Sequence, residues 1–197
     1  MSMLKKLPLL LLAIFTVSQL SGVETANAQD GFFTDAQTLS KGTGTLGIQP
    51  VYFTESEDGM LMFRGAYGLN STVTLHGKLG VFEDETYGGG HLEIGLASEP
   101  SSSISLALLA GVHVWDEPGL KASLIASKRW DQVSLFSGLS YEPIFYENNT
   151  LGPLLIPVGI DVHLDNSSAN LVLEADLAAN DDGEFLQAIT GGIYFYL

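Results

Sequence analysis

The sequence contains no cysteine, and this absence excludes two ways of holding a protein in place. Without a thiol the chain has neither a disulfide framework nor a cysteine that could carry a lipid. Lysine and arginine are scarce, at 8 against 23 Asp and Glu, which argues against a nucleic-acid partner because phosphate binding needs clustered basic side chains. Beyond residue 28, no segment reaches the roughly 20 apolar residues that a membrane helix needs.

The N-terminal residues follow the pattern of a secretory signal peptide. Lys5 and Lys6 precede an apolar stretch over residues 7–20, and small residues occupy both ends of Ala26-Asn27-Ala28. We expect cleavage after Ala28, which gives a signal peptide over residues 1–28, an N-terminal lead over 29–42 and one folded domain over 43–197. The mature chain would carry 8 − 2 = 6 basic and 23 − 1 = 22 acidic residues, a formal charge of −16.

The mature sequence consists of short apolar runs separated by turn signals. Leu154, Ile156 and Val158 alternate with other residues, as in a strand with one apolar face. Regular spacing of such runs favours an all-β fold, here a closed antiparallel up-and-down β-barrel of about ten strands, with eight as the alternative. The runs lie at residues 43–53, 60–69, 72–82, 88–97, 103–114, 119–128, 132–143, 152–164, 170–178 and 185–197.

Three observations favour a barrel of the membrane type, with its apolar faces outward. The polar faces are poor in Lys and Glu and rich in Gly, Ser, Thr and His. Acidic residues concentrate in alternate turns, so the two rims of the barrel should differ in charge. Aromatic residues lie near the ends of runs, where membrane barrels carry aromatic girdles; these are Tyr52, Phe82, Tyr87, Trp115, Trp130, Tyr141 and Phe185.

The C-terminal run adds a family trait. Thr190, Gly192, Phe195 and Leu197 place a polar residue, a glycine two positions later and then apolar or aromatic residues at alternate positions. This tail resembles the terminal strand signal of bacterial outer-membrane β-barrels, although the family more often ends in an aromatic residue than in leucine. The resemblance implies location in the outer membrane, contact with its lipid and insertion by the outer-membrane assembly machinery.

In this register a set of polar side chains points into the barrel lumen, where unpaired charges are costly. We expect Arg64 opposite His76, Lys78 near His91 or Glu93, and His113 opposite Lys121. Asp161 should face Glu174 or Asp176. A salt-bridge network, a water-filled lumen and a cation site at Asp161, His163, Glu174 and Asp176 all remain open. The full set is Arg64, His76, Lys78, His91, Glu93, His113, Lys121, Glu142, Asp161, His163, Glu174 and Asp176.

Three functions are compatible with this pattern. The first is an integral outer-membrane barrel without catalysis, which is structural, recognises something at the surface or passes small solutes. The second is a soluble secreted barrel of the lipocalin sort that binds an apolar ligand. The third is an outer-membrane enzyme acting on lipid, for which His113 with Glu142 is the best pair. The sequence predicts no catalytic motif, metal site or cofactor, so we favour a non-enzymatic role.

Overall fold

The computed structural model describes residues 36–82, 86–98, 102–164 and 167–197. The predicted signal peptide and the first part of the predicted lead lie outside these residues. The described chain is almost entirely β-strand. The strands are β1 (Gly44–Phe53), β2 (Gly59–Asn70), β3 (Val73–Val81), β4 (Thr86–Ala97), β5 (Ser105–Val114), β6 (Pro118–Trp130), β7 (Val133–Tyr141), β8 (Ile144–Tyr146), β9 (Asn149–Leu151), β10 (Leu154–His163), β11 (Ala169–Ala178) and β12 (Ala188–Tyr196).

Ten of these strands form a closed antiparallel barrel. Each long strand pairs with the next long one, β7 pairs with β10, and β12 returns to pair with β1. Thr45 lies opposite Tyr196, and Phe53 lies opposite Ala188. The short strands β8 and β9 form a hairpin between β7 and β10. The predicted up-and-down barrel of ten strands is confirmed, and the alternative of eight strands is wrong.

The alternation of the sequence determines which face of each strand points outward. In β3, the side chains of Leu75 and Leu79 are 46% and 50% exposed, whereas that of His76 is 2% exposed. Polar and charged residues are therefore buried inside the barrel while large apolar residues cover its outside. This arrangement is the reverse of a soluble protein and is typical of a transmembrane β-barrel.

The two ends of the barrel differ. β1 begins and β12 ends at one end, which we call the termini end, together with the connections after β2, β4, β6 and β10. The opposite end, which we call the mouth, carries residues 54–58, 115–117, 142–153 and 179–187. In the described part of the mouth these segments contain no Lys or Arg. Their acidic residues, apart from the buried Glu142, are Glu55, Glu57, Asp58, Asp116, Glu117, Glu147, Asp181, Asp182 and Glu184.

The mouth contains two elements that the sequence pattern did not predict. The β8–β9 hairpin occupies the segment between the predicted runs 132–143 and 152–164. A 3-10 helix, Asp181–Leu186, replaces the start of the last predicted run, so β12 begins at Ala188 rather than at residue 185. Asn180 and Asp182 attach this helix to the segment before β10, because their side chains bond to the backbone of Gly152 and Leu154.

Candidate functional site

Eleven of the twelve predicted lumenal side chains are buried inside the barrel, and His163 is half-buried. Each lies on the inward face of its strand, as the alternation predicts, except Glu142, which directly follows β7. The buried side chains form three groups along the axis of the barrel, one near the mouth, one at the middle and one near the termini end.

The group near the mouth centres on an ion pair. Lys121 Nζ donates to Glu142 Oε1 at 2.7 Å, and both side chains are buried. Ser140 donates to the same carboxylate oxygen at 3.0 Å, and its hydroxyl lies 2.7 Å from that of Ser123. Several hydrogen bonds therefore compensate the burial of the two charges, as a buried ion pair requires.

The middle group contains two histidines and a carboxylate. His76 Nε2 lies 3.0 Å from Glu93 Oε2 within hydrogen-bond geometry, and both groups are almost inaccessible to solvent. The ring of His91 stacks on that of His76, with ring centres 4.4 Å apart and an interplanar angle of 8°. The carboxylate of Glu93 therefore has an imidazole partner in the lumen.

The group near the termini end surrounds Asp161. Asn170 Nδ2 donates to Asp161 Oδ1 at 2.7 Å, and Tyr194 Oη donates to Asp161 Oδ2 at 2.5 Å. Asn170 Oδ1 accepts from His163 Nδ1 at 2.8 Å. The guanidinium of Arg64 lies over the Tyr194 ring at 5.7 Å, a cation–π arrangement. Asp161 is thus held by neutral donors of two neighbouring strands.

The predicted cross-strand partners within this set were wrong by two residues in several places. Arg64 lies opposite Lys78 rather than His76, because β2 and β3 connect through the tight turn at residues 71–72 with a register shift at its start. His76 lies opposite His91, and Lys78 opposite Gly89.

The same error affects the other two predicted pairs. Lys121 lies opposite Gly111, and His113 lies opposite Gly119. Asp161 lies opposite Val172, while Glu174 and Asp176 face Gly159 and Pro157. Asp161 is therefore not part of a facing carboxylate pair. Among the described residues no group of three His, Asp or Glu side chains has the geometry to hold a metal ion.

The lumen is narrowed at the termini end by the chain that precedes β1. Ala36 N donates to Ser127 Oγ at 3.0 Å, and Leu39 N donates to Thr74 Oγ1 at 2.8 Å, so residues 36–39 span the lumen from β6 to β3. Ala36 and Leu39 are each 1% exposed. Ala36 packs in an interior apolar cluster with Ala107, Leu109, Ile125, Phe136 and Val172. This part of the predicted lead lies inside the barrel.

Glycine at position 68 permits this arrangement. A β-carbon at Gly68 would collide with the backbone of Leu39 and Ser40. The two segments also exchange backbone hydrogen bonds, since Gly42 N donates to Gly68 O and Gly68 N donates to Thr43 O, each at 2.9 Å. The close backbone approach fixes the N-terminal segment against β2.

The mouth encloses a cavity of about 210 Å³. Apolar side chains form most of its wall, and the 3-10 helix at the mouth contributes Phe185 and Leu186. Its polar lining consists of His113 and Glu142 at the inner end and Asp116 and Glu117 at the rim. The remaining wall residues are Phe53, Met60, Tyr87, Trp115, Ile144, Tyr146 and Leu155.

Part of the predicted aromatic girdle faces this cavity instead of the outside. Trp115 lies against Phe53 and Phe82, with ring centres 5.3 Å and 4.8 Å away, in an inward-facing cluster. Tyr87 stacks on His113, and Phe185 lies on the 3-10 helix. The assignment of Phe82, Tyr87, Trp115 and Phe185 to an outer girdle was therefore wrong. Tyr52, Trp130 and Tyr141 are exposed on the outside as predicted.

Two solved β-barrel structures show a low similarity to this chain. One structure, from the de novo design of transmembrane β-barrels, shares 12% identity over 80% of this chain and 98% of its own, with a TM-score of 0.39. The N-terminal β-barrel domain of Pseudomonas aeruginosa OprF shares 10% identity over the same fractions, with a TM-score of 0.38. Neither similarity is high enough to indicate a function. No protein-family model and no curated protein matches the sequence.

The sequence pattern alone did not identify several residues that matter in the lumen and the mouth. Asn170 and Tyr194 hold Asp161, and Ser140 supports Glu142, but uncharged polar residues attract little notice in a search for charges. Parity within their strands could have found them, because Asn170 and Tyr194 lie on the same inward faces as Glu174 and Thr190.

In the portion that the structure describes, no helix is long and apolar enough to cross a membrane.

Proposed function

We propose that this chain is an integral β-barrel of the bacterial outer membrane, closed to solutes, whose role is recognition at the surface through its mouth. The observation that carries the membrane location is the outward apolar surface combined with the charged lumen. Leu108, Leu124, Leu139 and Leu173 are all 40% exposed or more, on four different strands. Water would be a poor solvent for such a surface, whereas the hydrocarbon of a bilayer matches it.

Exposed aromatic side chains at both ends support the same location. Tyr67 and Trp130 lie on the outside near the termini end, and Tyr52 and Tyr141 lie on the outside near the mouth. Such bands mark the two membrane interfaces of transmembrane barrels. The strands of the closed ring, with 9 to 13 residues each, have the length that a tilted strand needs to cross a bilayer. The expected secretion signal and the C-terminal strand signal fit delivery by the outer-membrane assembly machinery.

The filled lumen supports recognition over transport. The N-terminal segment at residues 36–39 and the apolar cluster around Ile125 occupy the termini end. Buried charged groups occupy the middle and the mouth side. A water channel through this interior would have to displace both. The interior also disfavours the lipocalin-like alternative, since the apolar rows that would line its ligand pocket face outward.

Membrane insertion is tested by placing a charge on the outside. Leu173→Arg lies near the middle of β11, where an outward Arg costs about 2–4 kcal/mol in a bilayer. Val114→Arg, at the mouth end of β5, serves as the matched control with an expected cost of about 0–1 kcal/mol. We expect Leu173→Arg to reduce the heat-modifiable, membrane-bound form seen on gels, and Val114→Arg to retain it. Recovery of the protein without either substitution in the soluble periplasmic fraction would overturn the proposal.

The closed lumen is tested separately by conductance. We expect the folded protein, reconstituted in a planar lipid bilayer, to give no steady single-channel current. A reproducible unit conductance would refute the closed lumen without affecting membrane insertion.

A further inference from the structure

The mouth cavity has the build of a binding site, although one of its lining residues, Glu142, also belongs to the buried ion pair with Lys121. Its wall is largely apolar and aromatic, with a few polar groups gathered at its inner end and its rim. Ligand sites in proteins combine an apolar wall with a small number of placed polar groups. A ligand in this cavity would give the proposed recognition by the mouth its chemistry and rests on that proposal, whereas binding in the folded barrel is measured separately from membrane insertion.

His113 is the strongest sign of a ligand. The residue is 6% exposed, and neither ring nitrogen makes a hydrogen bond of ordinary distance and angle; a polar neighbour is the backbone of Leu120, in weaker geometry. Leaving buried polar atoms unsatisfied costs about 1–3 kcal/mol each, so such atoms are rare without a reason. The ring stacks on Tyr87 and lines the cavity, so a molecule in the cavity would contact it.

The position of His113 is fixed by its surroundings. Gly119 lies opposite it on β6, and a β-carbon there would collide with the imidazole ring. Glycine at this position therefore provides the space that the ring occupies. On the other side the Lys121–Glu142 pair fixes the carboxylate that also lines the cavity.

The charge of the mouth decides which ligand is favoured. Asp116 and Glu117 line the cavity rim, and the described mouth segments carry further acidic residues without any Lys or Arg. Exposed Lys41 and half-buried Lys128 and Arg129 lie at the termini end, while Lys121 near the mouth is buried and paired with Glu142. The field at the mouth therefore concentrates cations and repels anions.

The volume sets the size of the ligand. A cavity of about 150 Å³ in another protein holds one benzene molecule. The cavity of about 210 Å³ here has room for one ring with a short chain. We propose that the mouth cavity binds a small organic cation: an amine on an apolar body the size of one aromatic ring. The ring packs among the aromatic side chains, and the ammonium donates to a nitrogen of His113 beside the carboxylate of Glu142.

The test uses Trp115 as its reporter. The chain has two tryptophans, and Trp130 is exposed on the outside at the opposite end, so Trp130→Phe leaves Trp115 alone in the cavity wall. The full-length folded protein in lipid nanodiscs is titrated with 2-phenylethylamine, 2-phenylethanol and phenylacetate, which share the ring and differ in charge. We expect a saturable fluorescence change with the amine, at least about tenfold weaker binding of the alcohol, and still weaker binding of the acid. Raising salt should reduce the advantage of the amine.

Three variants assign the binding to the cavity. His113→Phe should weaken amine binding at least about tenfold, because a phenyl ring offers no acceptor, while His113→Gln should restore most of it. Asp116→Asn with Glu117→Gln should weaken the amine several-fold and leave the alcohol unchanged. The matched charge control, Glu55→Gln with Glu57→Gln, lies on the mouth outside the cavity and should have little effect.

Results that contradict the binding proposal can be distinguished from a failure of a variant to fold. Equal binding of the amine and the acid, unchanged amine binding in His113→Phe, or no saturable change with any probe would each overturn the proposal. A heat-modifiable band from each variant shows that its barrel is folded. If His113→Phe fails to fold, the paired Asp116 and Glu117 variant decides the charge preference by itself.

Discussion

Replacing Lys121 by methionine tests whether the buried ion pair stabilises the mouth side of the lumen. Methionine keeps much of the length of lysine and removes its charge, so Glu142 loses its charged partner while Ser140 still donates to it. Removing one member of a buried pair costs about 3–5 kcal/mol, because the remaining charge stays buried without compensation. If the free energy of unfolding falls by about 2 kcal/mol per molar urea, the urea concentration at the unfolding midpoint should fall by about 2 M.

The assay is urea unfolding in lipid, followed by the loss of heat-modifiable mobility. Lys41→Met removes an exposed charge and should change stability by less than about 0.5 kcal/mol. Lys121→Met combined with Glu142→Gln removes both charges and should recover at least half of the loss, since the uncompensated carboxylate is then absent. A cost below about 1 kcal/mol for Lys121→Met, or no recovery in the double variant, would refute the argument that these two charges depend on each other.

Two further substitutions address the rest of the lumen. Tyr194→Phe removes a donor to the buried carboxylate of Asp161 and should cost about 1–3 kcal/mol in unfolding free energy, whereas Tyr52→Phe on the exposed outer face should be close to neutral. Gly159→Ala would push a β-carbon into the ring of Phe136 and should cost about 1–3 kcal/mol; Gly191→Ala, whose nearest neighbour would be 3.7 Å away, should cost less. Equal midpoints within either pair would contradict the corresponding packing.

The strands were predictable because one physical pattern determines them. Successive side chains of a strand point alternately to the outside and to the lumen. This alternation is visible in the sequences of β5 and β10 without knowing which strands pair with them. The same parity correctly assigned Lys78, Glu93 and Glu174 to the interior. Burial of these side chains follows from their own strand alone.

Partners and loops were not predictable in the same way. The neighbour of Arg64 depends on the turn between β2 and β3, where a shift of two residues keeps every side chain on its face and leaves the alternation unchanged. Aromatic residues at strand ends, such as Trp115, fit an outer girdle and an inner mouth equally well by position. The 3-10 helix has no long periodic pattern, and Asn180 forms the contacts that hold it only when β10 and β11 are paired.

The pairing of β1 with β12 imposes an order of events on the folding chain. Its partners are far apart in sequence, since Thr45 meets Tyr196 across 196 − 45 = 151 residues. Contacts of such long range form slowly, and until they form two strand edges stay unpaired and prone to join other chains. Residues 36–39 must reach the interior while the seam is still open or enter through the termini end afterwards. We therefore expect closure of the β1–β12 seam to be a late and slow step of folding.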